Sequence, residues 1–208
     1  MRWEGLVVGL RGQDPSGLKE AEGLDRPAYT QLPGWWVSPD DNHPDSPALR
    51  IYAVHTKPRQ EKALAARLDS AGVSCYLPLS RRLKSWQHRR RVVHEPLFAG
   101  YLFANCTVDQ TYEIHSSGRA VQVIASPDPR TTASELAQID LAVQSGAVLD
   151  PYPFLTKGRR VFVARGPLRG VEVEVDERSC PLRVVLKIST LGRAVALEID
   201  SAALEPLE

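Results

Sequence analysis

Between Arg81 and Arg91 the sequence RRLKSWQHRRR sets six basic residues, Arg81, Arg82, Lys84, Arg89, Arg90 and Arg91, around one tryptophan, Trp86, with no acid among them. Clustered cations attract phosphate in a nonspecific, salt-sensitive way, arginine can also read base edges, and an indole can stack on an unpaired base. Six uncompensated cations favour a nucleic-acid contact over a merely solvated face. Directly downstream, HEPLFAGYLFAN, His94 to Asn105, gathers Leu97, Phe98, Tyr101, Leu102 and Phe103 around Gly100. Each aromatic ring withdrawn from water covers ~150 Å² or more, so two or three rings suffice for a stable dock. A greasy strand joined to a basic run is thus equipped for binding.

Other chemistries find little support. H-E-x-x-H, G-x-S-x-G, G-x-x-x-x-G-K and G-x-G-x-x-G are all missing, and the five histidines sit in unrelated contexts, so no catalytic residue or cofactor is expected. Asp40 to His43, DDNH, could hold a divalent metal in principle, but in a Pro-rich tail a solvated acidic loop is the better reading, and no metal is expected. Cys75, Cys106 and Cys180 are too scattered for a disulfide framework or a zinc site and fit a reducing cytoplasm. The formal charge of +1 makes the placement of charges, not their sum, informative. GLVVGL near the start is shorter than a signal core and far short of the ~20 residues of a membrane span.

The elements that must position these residues follow from periodicity. Residues 1–48, with six prolines, six glycines and eight acids against four bases, read as a largely disordered extension. Within it Trp35 and Trp36 are expected to fold back on the chain's own body in preference to docking elsewhere. LRIYAVHT reads as a buried strand, followed by a helix with Pro58 and Glu61 in its first turn, Leu64, Leu68 and Ala71 on one face and Gly72 at its stop. VSCYLPL returns as a strand, the basic run forms a hairpin, GYLFANC a central strand, DQTYEIHSS a short helix and AVQVIA another strand. A further helix is placed from Thr132, with a capping box to Glu135, Leu136, Ile139 and Val143 on one face, and Gly146 at the stop. Together these make an α+β domain over 49–146. Residues 147–156 read as a linker, and 157–208 as a β-barrel of about five short strands.

In this order and spacing the residues resemble the NusG-like transcription elongation factors, including specialised paralogues typified by RfaH, from Ile51 to Glu208. IYAVHT matches the aromatic opening strand, Glu61 the early helix acid, and PLFAGYLF the P-L-F-P-G-Y-L-F type motif, with Ala99 in place of the second proline. Gly158, GPLRG and LGRAVALEID resemble a KOW module, with Val173 where a further glycine is usual. The long extension and these two departures favour a paralogue. The resemblance implies an NGN-type antiparallel sheet with flanking helices, then a five-stranded SH3-like barrel.

It further implies a monomeric transcription elongation or antitermination factor. Tyr52, Phe98, Tyr101 and Phe103 would receive the clamp helices of RNA polymerase, which requires a concave apolar patch left open. Phe98 and Tyr101 share a face with Phe103 only if Gly100 marks a bulge. The hairpin cations and Trp86 would meet the non-template DNA strand, and the KOW module would recruit Rho or a small-subunit ribosomal protein. A gate-loop contact through Thr111, His115, Ser116 or Ser117 is not assigned, because their arrangement differs from the family's. VEVEVDE and LRVVLKIS alternate without a helical stripe, so the barrel is expected to keep its β fold. The competing reading is a ribosome-associated or RNA-binding KOW protein without polymerase affinity.

Overall fold

The computed structural model describes residues 27–36, 49–86, 89–152, 158–166, 168–176, 183–200 and 203–206. The first module contains β1 (Arg50–Thr56), α1 (Glu61–Ser70), β2 (Ser74–Tyr76), β3 (Leu79–Trp86), β4 (Arg89–Pro96), β5 (Tyr101–Cys106), α2 (Thr111–Ser116), β6 (Ala120–Ala125) and α3 (Pro129–Gln144). The second is all β: β7 (Asp150–Tyr152), β8 (Arg159–Val163), β9 (Glu172–Asp176), β10 (Arg183–Ile188), β11 (Arg193–Glu198) and β12 (Leu204–Pro206).

An antiparallel sheet in the order β2-β5-β1-β6 organises the first module. Side-chain alternation divides its residues between two apolar clusters. Tyr52, Val54, Leu102, Ala104 and Cys75 pack with Leu64 and Leu68 of α1 and Ile114 of α2. Ile51, Ala53, Tyr76 and Phe103 pack with Leu136 and Ile139 of α3. Burial raises the thiols of Cys75, to about 12, and Cys106, to about 11, so both behave as small apolar side chains. At the end of β1 the Thr56 hydroxyl is buried with no hydrogen-bond partner. Thr56→Val removes that orphan at nearly constant shape and should gain about 1–2 kcal/mol in denaturant unfolding. A loss of stability there would show that the hydroxyl is satisfied after all.

Two helix starts differ from the expectation. Helix α1 begins at Glu61 after a turn in which Arg59 takes a positive φ of 62°, so Pro58 lies ahead of the helix rather than in its first turn. Helix α3 begins at Pro129, capped by Asp128, whose carboxylate accepts from the Thr131 backbone N–H at 3.1 Å and the Thr131 hydroxyl at 2.6 Å. An Asp cap with proline in the first helical position outcompetes the Thr132–Glu135 box. Those two side chains are left free for another task.

Part of the extension is folded. Residues 27–36 form two short 3-10 turns, Ala28–Thr30 and Gly34–Trp36, that lie along the outer edge of β2. The Leu77 N–H donates to the Tyr29 carbonyl at 2.7 Å, the Leu32 N–H donates to the Asp140 carboxylate, and Trp36 Nε1–H donates to Ser74 Oγ at 2.9 Å. Tyr29 packs on the α1 cluster while Leu32 and Trp36 join the α3 cluster. Asp140 also accepts from the Tyr76 hydroxyl, and burial holds its carboxyl above the usual range. Trp36 thus folds back as expected, at 3% exposure, whereas neighbouring Trp35 is 48% exposed. Residues 27–36 of the stretch read as largely disordered form this strap; the remainder of 1–48, including Asp40 to His43, lies outside the described residues.

The second module is a sheet in the order β12-β8-β9-β10-β11-β7. Strand β7 falls inside the stretch read as a linker: Asp150, Pro151 and Tyr152 pair with Ala196, Val195 and Ala194 of β11, adding a strand to the expected five. Val173 is an ordinary buried residue of β9 opposite Val161, so the absent glycine leaves no strain. Gly158 does need its missing side chain, since a Cβ there would lie 2.7 Å from the Val175 carbonyl oxygen.

The modules are packed together. One apolar cluster runs from the sheet through α3 and Leu149 into the interior of the second module. The side chains released from the α3 cap make the polar part of the contact. Thr132 Oγ1 lies 2.7 Å from Thr190 Oγ1, and Glu135 accepts from the Ser189 backbone N–H at 2.9 Å and from the Ser189 hydroxyl. Burial raises the Glu135 carboxyl, opposed by those two bonds.

Candidate functional site

The aromatic motif is built on a turn. The Tyr101 N–H bonds the Phe98 carbonyl at 3.0 Å, with Ala99 and Gly100 between them and Gly100 at φ 82°. This is the geometry of a type II turn, in which glycine suits the third position and proline the second, so Ala99 keeps the turn with less rigidity. The Gly100 N–H is held by the Glu61 carboxylate at 2.7 Å. Strand β5 starts only at Tyr101, so Phe98 is freed from strict alternation and meets Phe103 edge-on, ring centroids 6.3 Å apart. Gly100 therefore does the work assigned to a bulge.

Register sorts the four candidate rings. His55 lies opposite Tyr101, and Ala53 opposite Phe103. Tyr101 stacks on His55 at 4.8 Å between ring centroids. Phe98, Tyr101 and Phe103 share the α3 side of the sheet with His55. Tyr52 lies apart from the other three: its place in β1 turns it to the α1 side, where it is buried. His55, outside the four candidates, joins their face, as two-residue alternation from Ala53 and pairing with Tyr101 require.

The rings do not form an open patch. Phe98 and Phe103 are buried and Tyr101 is half-buried, with the Arg193 guanidinium of β11 lying 5.0 Å from its ring centroid. The second module therefore caps this face through a cation–π contact. A cleft of about 450 Å³ exists elsewhere, between α3 and β8–β9, lined by residues that include Leu141, Arg160 and Glu172 and by none of the four rings.

Strands β3 and β4 form a two-stranded ribbon, with residues 87 and 88 of its tip outside the described residues. Opposed residues share a face. Arg82 and Lys84, opposite Val93 and Arg91, lie on one face; Arg81, opposite His94, lies on the other. The run is less uncompensated than its sequence suggests. Lys84 is paired with Glu95, whose carboxyl it holds below the usual range, and Arg82 lies 3.7 Å from Asp150 of β7. Arg81 and Arg91 are exposed. The carboxylates come from outside the basic run, so composition within the run could not reveal them.

Among the described residues no group of three or more His, Cys, Asp or Glu could hold a metal ion, and no helix is long and apolar enough to cross a membrane. An aromatic sheet face, a basic ribbon and a small β module define a two-module α+β protein. Residues 50–139 match the family model described as "NusG: Transcription termination factor nusG", which makes the first module NusG-like and supports a general role in transcription elongation. Among solved structures, "Domain interaction in Thermotoga maritima NusG" is 16% identical, covering 77% of this chain and 98% of that one, with a TM-score of 0.43. A chain of the MjSpt4:Spt5 complex is also 16% identical, covering 74% and 95%, with a TM-score of 0.26. No curated protein matches the chain.

Proposed function

We propose that this chain is an elongation or antitermination factor that docks on RNA polymerase through the face formed by His55, Phe98, Tyr101 and Phe103. Docking turns the basic ribbon toward the non-template DNA strand and offers the second module to a further partner, such as Rho or a small-subunit ribosomal protein. The reading rests chiefly on one observation: three rings of a single motif converge with His55 on a sheet face whose cover is a separate module. That cover is fastened by contacts a competitor can replace, namely a cation over Tyr101 and hydrogen bonds at Glu135. A helix pair that fills the face must displace the module, so association includes the cost of unseating it.

Capture of purified core RNA polymerase by the full chain tests this. Arg193→Ala with Glu135→Ala loosens the cover and should tighten binding by up to about a hundredfold, since a cation–π contact and two hydrogen bonds together contribute about 3 kcal/mol. Adding Tyr101→Ala should then abolish capture, while Tyr112→Ala, on an exposed residue of α2, should leave it unchanged. If polymerase is not retained by any variant but single-stranded RNA is, the RNA-binding reading replaces this one.

A further inference from the structure

We infer that Asp150 occupies a phosphate position on the basic ribbon, so that seating of the second module and nucleic-acid binding by the ribbon oppose one another. The inference rests on the proposed nucleic-acid role of the ribbon and names a control acting on it. Arg82 and Lys84 lie on the same ribbon face, and each has a carboxylate partner, but the partners differ in origin. Glu95 of Lys84 belongs to the ribbon itself and stays with it. Asp150 belongs to β7, which is hydrogen-bonded to β11 and moves with the second module.

Asp150 is held near Arg82 by its neighbours. Leu149 is buried in the apolar cluster that joins the modules, and Pro151 and Tyr152 are paired to Val195 and Ala194. A nucleic-acid phosphate arriving at Arg82 must compete with a carboxylate delivered by the chain itself, and would face that carboxylate's repulsion. When the module leaves, Asp150 leaves with it and Arg82 gains a free fork of donors suited to phosphate. By reciprocity, nucleic acid bound to the ribbon weakens the seat of the module by the same factor. Both side chains are about half exposed, at 40% and 52%, so the factor is that of an exposed ion pair, about two- to fivefold.

A reversible lock provides the test. Thr132→Cys with Thr190→Cys, in a Cys180→Ser background, places two thiols where hydroxyl oxygens now lie 2.7 Å apart, so oxidation fixes the seated module. Binding of the full chain to single-stranded oligothymidylate is measured in both redox states. The oxidised form should bind about two- to fivefold more weakly, Asp150→Asn should close that gap, and Asp150→Glu should restore it. Equal binding by the two forms, with Arg81→Ser/Arg91→Ser still weakening both, overturns the coupling and leaves the ribbon's role intact. A gap that survives Asp150→Asn removes Asp150 as its agent. Failure of the ribbon substitutions to weaken binding sinks the underlying reading, and this inference with it.

Discussion

Replacing Trp36 by alanine should cost about 3–5 kcal/mol of unfolding free energy, the range for truncating a large buried side chain. Trp36 is 3% exposed, packs in the α3 cluster and donates to Ser74 Oγ, so its removal leaves a void and frees a hydroxyl of β2. The edge at stake is short. β2 has three residues, and Leu77, just beyond it, gives its N–H to Tyr29 of the strap. Losing the strap would bare a sheet edge that other chains could join. Trp36→Phe keeps most of the packing and should recover all but about 1–2 kcal/mol. Trp35→Ala, at 48% exposure, should stay within about 0.5 kcal/mol of the parent. Equal losses at the two tryptophans in denaturant titrations would show that the strap is not anchored through Trp36.

Neutralising the two exposed ribbon arginines should weaken single-stranded DNA binding about tenfold at moderate salt. Arg81 and Arg91 lie on opposite faces of the ribbon, so the double change Arg81→Ser/Arg91→Ser reaches both. The slope of log affinity against log salt should fall by about 1.4, at roughly 0.7 per phosphate contact on a single strand. Arg165→Ser with Arg169→Ser removes the same charge from exposed positions between β8 and β9 and separates local pairing from net charge. If that pair weakens binding as much, the ribbon is no dedicated site.

Much of this was legible along the chain because it is set locally. The two-residue alternation of IYAVHT and GYLFANC follows from burying both faces of a sheet, and the left-handed glycines Gly72 and Gly146 end α1 and α3 where a side chain would strain the turn. The hairpin around the basic run follows from two extended segments flanking a short tip. Helix α3 was found but started too late. Thr132 and Glu135 satisfy a capping pattern, yet Asp128 followed by Pro129 satisfies a stronger one four residues earlier.

The sequence by itself determined which residues can bury, cap, turn or carry charge, because those preferences reside in each side chain and its near neighbours. Tertiary structure alone decided which partner each would meet. Tyr52 became core and His55 joined the aromatic face because pairing with β5 set their register. Glu135 turned from a helix cap into a tie between modules, and Arg82 gained Asp150 from far along the chain. Such contacts depend on surfaces that exist only once the sheet, α3 and the second module have packed, and no short-range pattern encodes them.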